Sequence, residues 1–183
     1  SATMDVHGLD ALVVSIEPNL RYLSDFGGTG HTLETFAILP RAQSIQPTLI
    51  IGHRAVVILA ANPTWMSNIV TYEQPAYSNI FPQPGEVHDY LLPIDTDIDN
   101  EIGTLLNTAT KSGTDKPIDA LSRTLQELGL ANACVGFDDM FLANRVQNDL
   151  LPNLQTLPII ETMQSIRLVK TDEELDNIRI AST

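Results

Sequence analysis

The stretch Leu9-Asp10-Ala11-Leu12-Val13-Val14-Ser15-Ile16 decides the fold class of this chain. It is a short, mainly apolar run with β-branched residues, and such a run predicts a buried strand. Gly8, directly before it, is typical of the end of a preceding helix. Pro18 and Asn19 follow, and a proline in a first helical turn predicts that a short helix comes next. The opening of the chain therefore predicts a helix, a buried strand and a second helix.

Short apolar runs separated by turn residues continue along the chain. Further strands are predicted at residues 35–39, 47–51, 55–60, 69–72, 87–92, 133–137 and 154–160. Helices with an apolar face are predicted at residues 98–109, 118–128 and 141–150, and a short helix is expected to start at residue 62. Residues 73–85 contain several prolines and predict an exposed loop. Strands clustered early, followed by alternating helices and strands, favour a mixed sheet covered by helices on both faces.

Composition restricts the class of protein. The chain has 183 residues, of which 43% are hydrophobic, and this suits one packed domain. Its net charge is −13, which argues against a surface for nucleic acid or anionic lipid. No run reaches the ~18 apolar residues of a membrane span, and the amino terminus lacks a secretory signal. We therefore expect an acidic cytoplasmic protein, and adaptation to high salt in the source organism is also compatible with this charge.

The single cysteine and single tryptophan are both assigned to the core. Cys134 lies in the apolar run Ala133-Cys134-Val135 and predicts a buried structural thiol, as in cytoplasmic proteins. Trp65 is expected to pack in the core, with an interface anchor as the alternative. Asp138 and Asp139 are interpreted as caps of the next helix and not as a catalytic pair of carboxylates.

The histidines are scattered, and none has the spacing of a metal site: His7, His31, His53 and His88. We therefore expect none of them to bind a metal. For His7, His53 and His88 a surface or turn position is the simpler interpretation.

Segments near both ends of the chain resemble the N-terminal domain of the creatinase/prolidase family. Leu9-Asp10-Ala11-Leu12-Val13-Val14 and then Arg21-Tyr22-Leu23-Ser24-Asp25-Phe26 are similar to its opening, in which a strand of the type "DALVV" leads into a helix of the type "N-x-RYLxxF". Val135-Gly136-Phe137-Asp138 resembles its late strand. Arg167-Leu168-Val169-Lys170, with the acidic run that follows, is similar to its junction with the catalytic domain. Together these segments cover nearly the whole chain in the family's order.

The resemblance implies an α/β fold: a three-layer α/β/α sandwich with a mixed sheet of ribonuclease-H-like topology. It also implies a creatinase/prolidase-type N-terminal domain at residues 1–166. Residues 167–183 would then form a linker helix leading to a C-terminal catalytic domain that this sequence does not include. Thr171 and Glu174 form a capping box that would start this helix. No cap follows before Thr183, so we expect the helix to continue beyond the sequence.

In that family, catalysis belongs to the following domain, which holds two divalent metals through two Asp, one His and two Glu. The resemblance therefore implies no catalytic residue and no metal ligand in this chain, and two ions of Mn, Co or Zn in the absent domain. It implies that the parent protein is an Xaa-Pro dipeptidase or aminopeptidase. The expected partners are its own catalytic domain, a second copy in a homodimer, and short proline-containing peptides.

By the same resemblance, the loop after the "RYLxxF" helix leans toward an active site. The candidate residues of a substrate cleft are His31, Thr32 and Glu34. In creatinases this loop carries a Phe and an Arg that hold the substrate's carboxylate. Here no arginine is present and Glu34 would repel a carboxylate, which favours a proline-specific peptidase over a creatine hydrolase.

The same loop has two other interpretations. The glycines of Gly27-Gly28-Thr29-Gly30 could simply permit turns, with His31 in solvent. A phosphate-binding loop is disfavoured, because this loop is expected after a helix and before a strand, whereas phosphate loops connect a strand to a helix.

Three alternatives to the peptidase remain open at the level of sequence. The parent could be a related creatinase-like C–N hydrolase or lyase. It could be a non-enzymatic binding or scaffold protein that has lost the metal ligands. The chain could also be a free-standing α/β binding domain. The metal content of the full-length protein would separate an enzyme from a scaffold.

Overall fold

The computed structural model describes residues 2–27, 34–73 and 96–170, together with positions 175 and 180, which are helical. The helices are α1 (Ala2–His7), α2 (Glu17–Ser24), α3 (Val56–Ala61), α4 (Thr96–Thr108), α5 (Pro117–Glu127), α6 (Met140–Arg145) and α7 (Ile160–Leu168). The strands are β1 (Ala11–Val14), β2 (Phe36–Pro40), β3 (Thr48–Gly52), β4 (Asn68–Tyr72), β5 (Thr110–Lys111), β6 (Cys134–Phe137) and β7 (Gln155–Pro158). A 3-10 turn at His53–Ala55 precedes α3, and a π-turn at Val146–Leu150 extends α6.

The predicted strand at residues 9–16 forms β1, which lies inside the sheet. The seven described strands are ordered β5-β4-β3-β2-β1-β6-β7. β1 pairs antiparallel with β2 and parallel with β6, and β2 pairs antiparallel with β3. The remaining pairs are parallel, so β2 alone runs against the other described strands. The sheet is therefore mixed, as predicted.

Both faces of the sheet are buried, because successive residues of a strand point to opposite faces. Ala11 and Val13 of β1 belong to one core, which also contains residues of α5 and α6. Leu12 and Val14 belong to the other core, with residues of α1, α2, α3 and α7. This two-sided burial explains why β1 has no polar residue. The prediction of a three-layer α/β/α sandwich is confirmed.

Glycine and proline end and start helices where the sequence predicts. Gly8 follows α1 with φ 63°, and Gly129 follows α5 with φ 74°, in the left-handed region that other residues rarely adopt. Pro18 lies in the first turn of α2. These local signals are confirmed because they depend on backbone conformation alone.

The prediction of a strand at residues 55–60 is wrong, since this run forms the 3-10 turn's last residue and α3. β3 and β4 are parallel, so the chain must cross back to the other end of the sheet between them, and a helix makes that crossover. A short apolar run does not by itself distinguish a strand from a helix. The helix expected from residue 62 is also absent, because residues 62–67 are bends and irregular backbone. β5 was not predicted.

Some predictions fall outside the described residues. These are the strand at residues 87–92, nearly all of the loop at 73–85, and the capping box of Thr171 and Glu174. The boundary between residues 166 and 167 stays a prediction. α7 continues through Arg167 to Leu168, and the next residue, Val169, is extended. Within the described part of the chain, no helix combines the length and apolar character needed to span a bilayer.

Trp65 and Cys134 are less buried than predicted. Trp65 is 52% exposed, and its indole N–H donates to the carbonyl of Leu23 at 2.9 Å. The last carbonyls of a helix lack partners within it, so the indole completes the end of α2 instead of filling the core. Cys134 is half-buried at the start of β6. Burial raises the pKa of its thiol, and the neighbouring carboxylate of Asp10 raises it further.

The contact of α7 with β6 gives a testable prediction. A Cβ added to Gly136 of β6 would lie 2.5 Å from Cγ2 of Ile159 and 3.0 Å from Cδ1 of Leu9. Gly136→Ala should therefore lower the free energy of unfolding by roughly 1–3 kcal/mol, measured by urea denaturation. The control is Gly103→Ala in α4, where the added methyl meets no atom within 4 Å. This variant should gain about 0.5–1 kcal/mol. If both variants were equally stable, the contact between β6 and α7 would be looser than described.

Candidate functional site at the carboxyl edge of the sheet

All described strands except β2 run in one direction, so their carboxyl ends share one edge of the sheet, here called the carboxyl edge. Ser15 follows β1 at this edge and Asp138 follows β6. His53 and Glu73 follow β3 and β4. Ligand sites of open α/β sheets lie outside the carboxyl ends of the strands. The carboxyl edge is therefore the place to look for functional side chains.

Asp138 is the most buried charged group described at this edge, at 5% exposure. One of its oxygens accepts from the backbone N–H of Ser15 at 2.9 Å and from the Ser15 hydroxyl at 3.3 Å. The other accepts from the N–H of Ile16 at 3.1 Å and from the side-chain amide of Asn19 at 3.0 Å. Ile16 precedes α2 and has no side-chain oxygen to cap the helix. Asp138 therefore binds, from the neighbouring strand, the N–H groups of the two residues before α2 and the side chain of Asn19 in its first turn.

The surroundings of Asp138 act on its pKa in opposite directions. Burial raises the pKa of the carboxyl, because a charge is costly to remove from water. The hydrogen bonds from Asn19, Ser15 and Ile16 lower it, but burial is the larger effect and the net direction is upward. A buried carboxylate with this many donors is a fixed structural charge, and it holds the turn between β1 and α2 against β6.

Asn19 connects Asp138 to α7 by hydrogen bonds. Its side chain is completely buried, and its Oδ1 accepts from the guanidinium of Arg167 at 3.0 Å. A carboxylate can only accept and a guanidinium can only donate, so an amide between them satisfies both. Asp138, Asn19 and Arg167 thus form a continuous chain of hydrogen bonds, here called the Asp–Asn–Arg network. It joins β6, α2 and α7.

The interpretation of Asp138 and Asp139 as helix caps is correct for Asp139 only. Asp139 accepts from the N–H groups of Phe141 and Leu142 at 2.8 and 3.3 Å and caps α6. Asp138 points instead to the turn before α2. The local sequence pattern does not indicate this role, because Ser15 lies 123 positions away along the chain. The parallel pairing of Val13 with Phe137 is what brings the two together.

Of the predicted cleft residues, Glu34 is described, whereas His31 and Thr32 lie outside the described residues. Glu34 is exposed and precedes β2, whose amino end lies at the carboxyl edge because Ala37 pairs with Val14. Its backbone carbonyl accepts from the hydroxyl of Tyr72 at 2.7 Å. Burial, and secondarily the charge of Glu34, raises the pKa of Tyr72 to about 12. Tyr72 thereby fixes the end of the loop that precedes β2.

A second group of charged residues lies at the same edge, after β3, β4 and β5. His53 is exposed at the start of the 3-10 turn. Partial burial of its imidazole lowers the pKa of His53, the charge of Lys111 lowers it further, and the charge of Glu73 opposes both. His7 is exposed at the end of α1, and His88 lies outside the described residues. The structure therefore does not bring the described histidines together.

The two metals that the family resemblance implies belong to the absent catalytic domain, so no ligand set for them is expected among the described residues. Among them, no group of three or more His, Cys, Asp or Glu side chains is placed to hold a metal ion. Asp138 already has its oxygens occupied by hydrogen-bond donors, so it does not offer a free ligand. No step of a metal-dependent reaction follows from this part of the chain.

The fold and the edge define a class: a three-layer α/β/α domain whose carboxyl edge is closed by a buried carboxylate. The model of the creatinase/prolidase N-terminal domain matches residues 1–179. The chain belongs to this family. No curated protein matches the sequence.

Solved structures with the same fold are peptidases by name. A proline dipeptidase from Streptococcus pneumoniae superposes with a TM-score of 0.56 at 15% identity, covering 92% of this chain and 94% of that one. The dipeptidase PepE from Mycobacterium ulcerans gives 0.54 at 19% identity, covering 96% of this chain and 36% of that one. The creatinase/prolidase N-terminal domain of an X-Pro dipeptidase from Streptococcus pyogenes gives 0.52 at 12% identity, covering 90% and 92%. At these identities the likeness is one of fold, and the chain spans little more than a third of PepE.

Asp138 should leave a pH signature in stability. Its folded pKa is raised above the ordinary value of 3.8, so its contribution to stability is fully present below 3.8. The contribution is lost as the pH rises through the raised pKa. Asp138→Asn removes this dependence, so the stability of the wild type relative to the variant should fall over that interval and be flat on both sides. Each unit of the shift corresponds to about 1.4 kcal/mol. Urea denaturation at a series of acidic pH values measures it, and a constant difference would show that the pKa is not raised.

Tyr72 should ionise late in a titration of the four tyrosines followed by ultraviolet absorbance. One titration step is expected with a pKa of about 12, and in denaturant the pKa of that step should return to the ordinary value of 10.0. Tyr72→Phe should abolish the late step. The variant should also cost about 1 kcal/mol of stability, because the carbonyl of Glu34 loses its donor. A late step that persists in Tyr72→Phe would contradict this assignment.

Proposed function

We propose that this chain is the non-catalytic N-terminal domain of a dinuclear-metal Xaa-Pro dipeptidase or aminopeptidase. The observation that carries the proposal is the family match across residues 1–179. The coverage of PepE, 36% of its length by 96% of this chain, supports the same division into an N-terminal part and a larger remainder. In this proposal the two divalent metals, Mn, Co or Zn, belong to the C-terminal domain. When bound, they would activate a water for attack on the scissile carbonyl.

This domain would contribute the shape of the substrate cleft. The candidates are His31, Thr32 and Glu34, in the loop that ends at the carboxyl edge. Two features support a placement here: the hydrogen bond from Tyr72 fixes the carbonyl of Glu34, and the side chain of Glu34 is exposed. An acidic residue does not clamp a substrate carboxylate, which favours a peptidase over a creatine hydrolase. The cleft would admit short peptides that end or begin near a proline.

A homodimer in the cytoplasm completes the proposal. Trp65 supports a protein interface, because it is 52% exposed while its indole is held by Leu23. Rigid, exposed aromatic side chains are typical anchors of interfaces. The net charge of −13 is compatible with a soluble acidic surface.

Metal analysis and peptide cleavage by the full-length protein test the proposal. We expect about two divalent metals per chain and cleavage of an Xaa-Pro dipeptide that is abolished by a chelator and restored by Mn or Co. An Xaa-Ala dipeptide is the matched control and should be cleaved far more slowly. The 183-residue chain alone should show no cleavage with added metal.

Other results would overturn this function. Cleavage by the 183-residue chain alone would place catalytic groups inside it. A full-length protein without metal and without cleavage would instead identify a binding or scaffold protein on the same fold. Hydrolysis of a C–N bond in a substrate without proline would identify a creatinase-like enzyme.

A further inference from the structure

We infer that Asp138, Asn19 and Arg167 act as a latch that fixes the end of α7, and with it the direction in which the chain leaves this domain. The inference rests on the proposed function for its purpose, since the segment after α7 would lead to the catalytic domain. The latch itself is argued from the contacts of this chain alone. Its three residues lie in the segments that resemble the family, but the resemblance gives none of them a role, and the latch assigns them a positioning role.

The end of α7 depends on Arg167 more than its beginning does. Ile159, just before the helix, is 2% exposed and Met163 is 1% exposed, and both belong to the core beneath α2 and β1. Arg167 lies one helical turn after Met163 and so projects from the same face of α7. The first half of the helix is therefore held by apolar packing. In the last turn only the half-buried Ile166 adds apolar packing, and the hydrogen bond from Arg167 to Asn19 supplies the polar tie.

Arg167 lies where α7 ends and the chain becomes exposed. Leu168 is 80% exposed and Val169 is 75% exposed, and Val169 adopts an extended conformation that ends the helix. Arg167, by contrast, is half-buried. It is therefore the last inward contact of α7 before the chain turns outward. Loss of its tie would release the exit segment while leaving the core in place.

The latch requires Asn19, because the side-chain amide of Asn19 both donates and accepts. Asp138 can only accept, and Arg167 can only donate. Its Nδ2 donates to Asp138 at 3.0 Å and its Oδ1 accepts from Arg167 at 3.0 Å. A leucine of similar size has neither group, and an aspartate would lose the donor and repel Asp138. The position of Arg167 is thus set, through Asn19, by a carboxylate that is itself held by Ser15 and Ile16.

Hydrogen exchange measured by mass spectrometry on the 183-residue chain tests the latch without any catalytic assay. Arg167→Met should raise the exchange rates of the amides in the last turn of α7 roughly ten-fold, as expected for loss of one hydrogen bond to a charged group. The amides of β6 should change little. Arg167→Lys keeps a donor and a charge, so it should restore much of the protection. Arg145→Met removes an exposed arginine from α6 and is the matched control.

A double-mutant cycle separates a latch from general destabilisation. If Arg167 acts through Asn19, then Asn19→Leu should expose the end of α7 as Arg167→Met does, and the double variant should add little further exchange. Additive effects would overturn the inference, as would unchanged exchange in Arg167→Met or equal effects of Arg145→Met. If Asn19→Leu fails to fold, the comparison of Arg167→Met with Arg167→Lys decides on its own.

The link to function is tested in the full-length protein. Arg167→Met should raise KM for an Xaa-Pro dipeptide several-fold, and Arg167→Lys should restore it. The reason is that without the latch the domain is no longer held in one orientation relative to the substrate cleft. Unchanged KM together with increased exchange in α7 would confine the latch to this domain and overturn its role in the peptidase. Absence of any Xaa-Pro cleavage in the wild type would overturn the proposed function and leave the exchange result to decide the latch.

Discussion

A single buried carboxylate ties together parts of this domain that lie 119 to 123 positions apart in sequence. Asp138 directly follows β6, yet its oxygens accept hydrogen bonds from the turn after β1 and from the side chain of Asn19 in α2. A buried charge is tolerated only when donors surround it, and here the N–H groups of Ser15 and Ile16 and the side-chain amide of Asn19 are those donors. These hydrogen bonds offset part of the cost of burying Asp138, while burial remains the larger effect on its pKa. The arrangement depends on parallel pairing of β1 with β6, so the carboxylate and the sheet order support each other.

The core is organised around β1 for a related reason. A strand with antiparallel β2 on one side and parallel β6 on the other has no solvent-exposed edge, and helices cover both of its faces. The residues of β1 must then be apolar throughout, and the polar residues Asp10 and Ser15 flank the strand on either side. Asp10 accepts from the amide of Cys134 at 3.0 Å and from Arg41 at 2.9 Å at the amino edge. The β1–β6 pair is therefore flanked by a carboxylate at each edge of the sheet, Asp10 at the amino edge and Asp138 at the carboxyl edge.

This arrangement bears on how such a domain serves a larger protein. Three parts of the chain lie at the carboxyl edge: the start of α2, Glu34 shortly before β2 and, through the contact of Arg167 with Asn19, the end of α7. Polar contacts thus hold at one edge the backbone of Glu34, which is proposed to line a cleft, and Arg167, which precedes the segment proposed to lead to a catalytic domain. Apolar packing stabilises the layers, but it is not directional. The hydrogen bonds of Tyr72, Asn19 and Asp138 are directional, and they set where the polar ends of the elements lie.

The sequence by itself determined the features that depend on neighbouring residues. Gly8, Pro18 and Gly129 marked helix ends through backbone conformation, and the run at residues 9–16 gave a buried strand through its apolar composition. The family's segments led to the sandwich because they matched motifs of known order. Only the tertiary structure decided that residues 56–61 are helical, since a parallel crossover and not local preference selects that state. It alone decided that Asp138 closes the turn before α2 and that Arg167 reaches Asn19, because sheet pairing and helix packing join residues 119 and 148 positions apart.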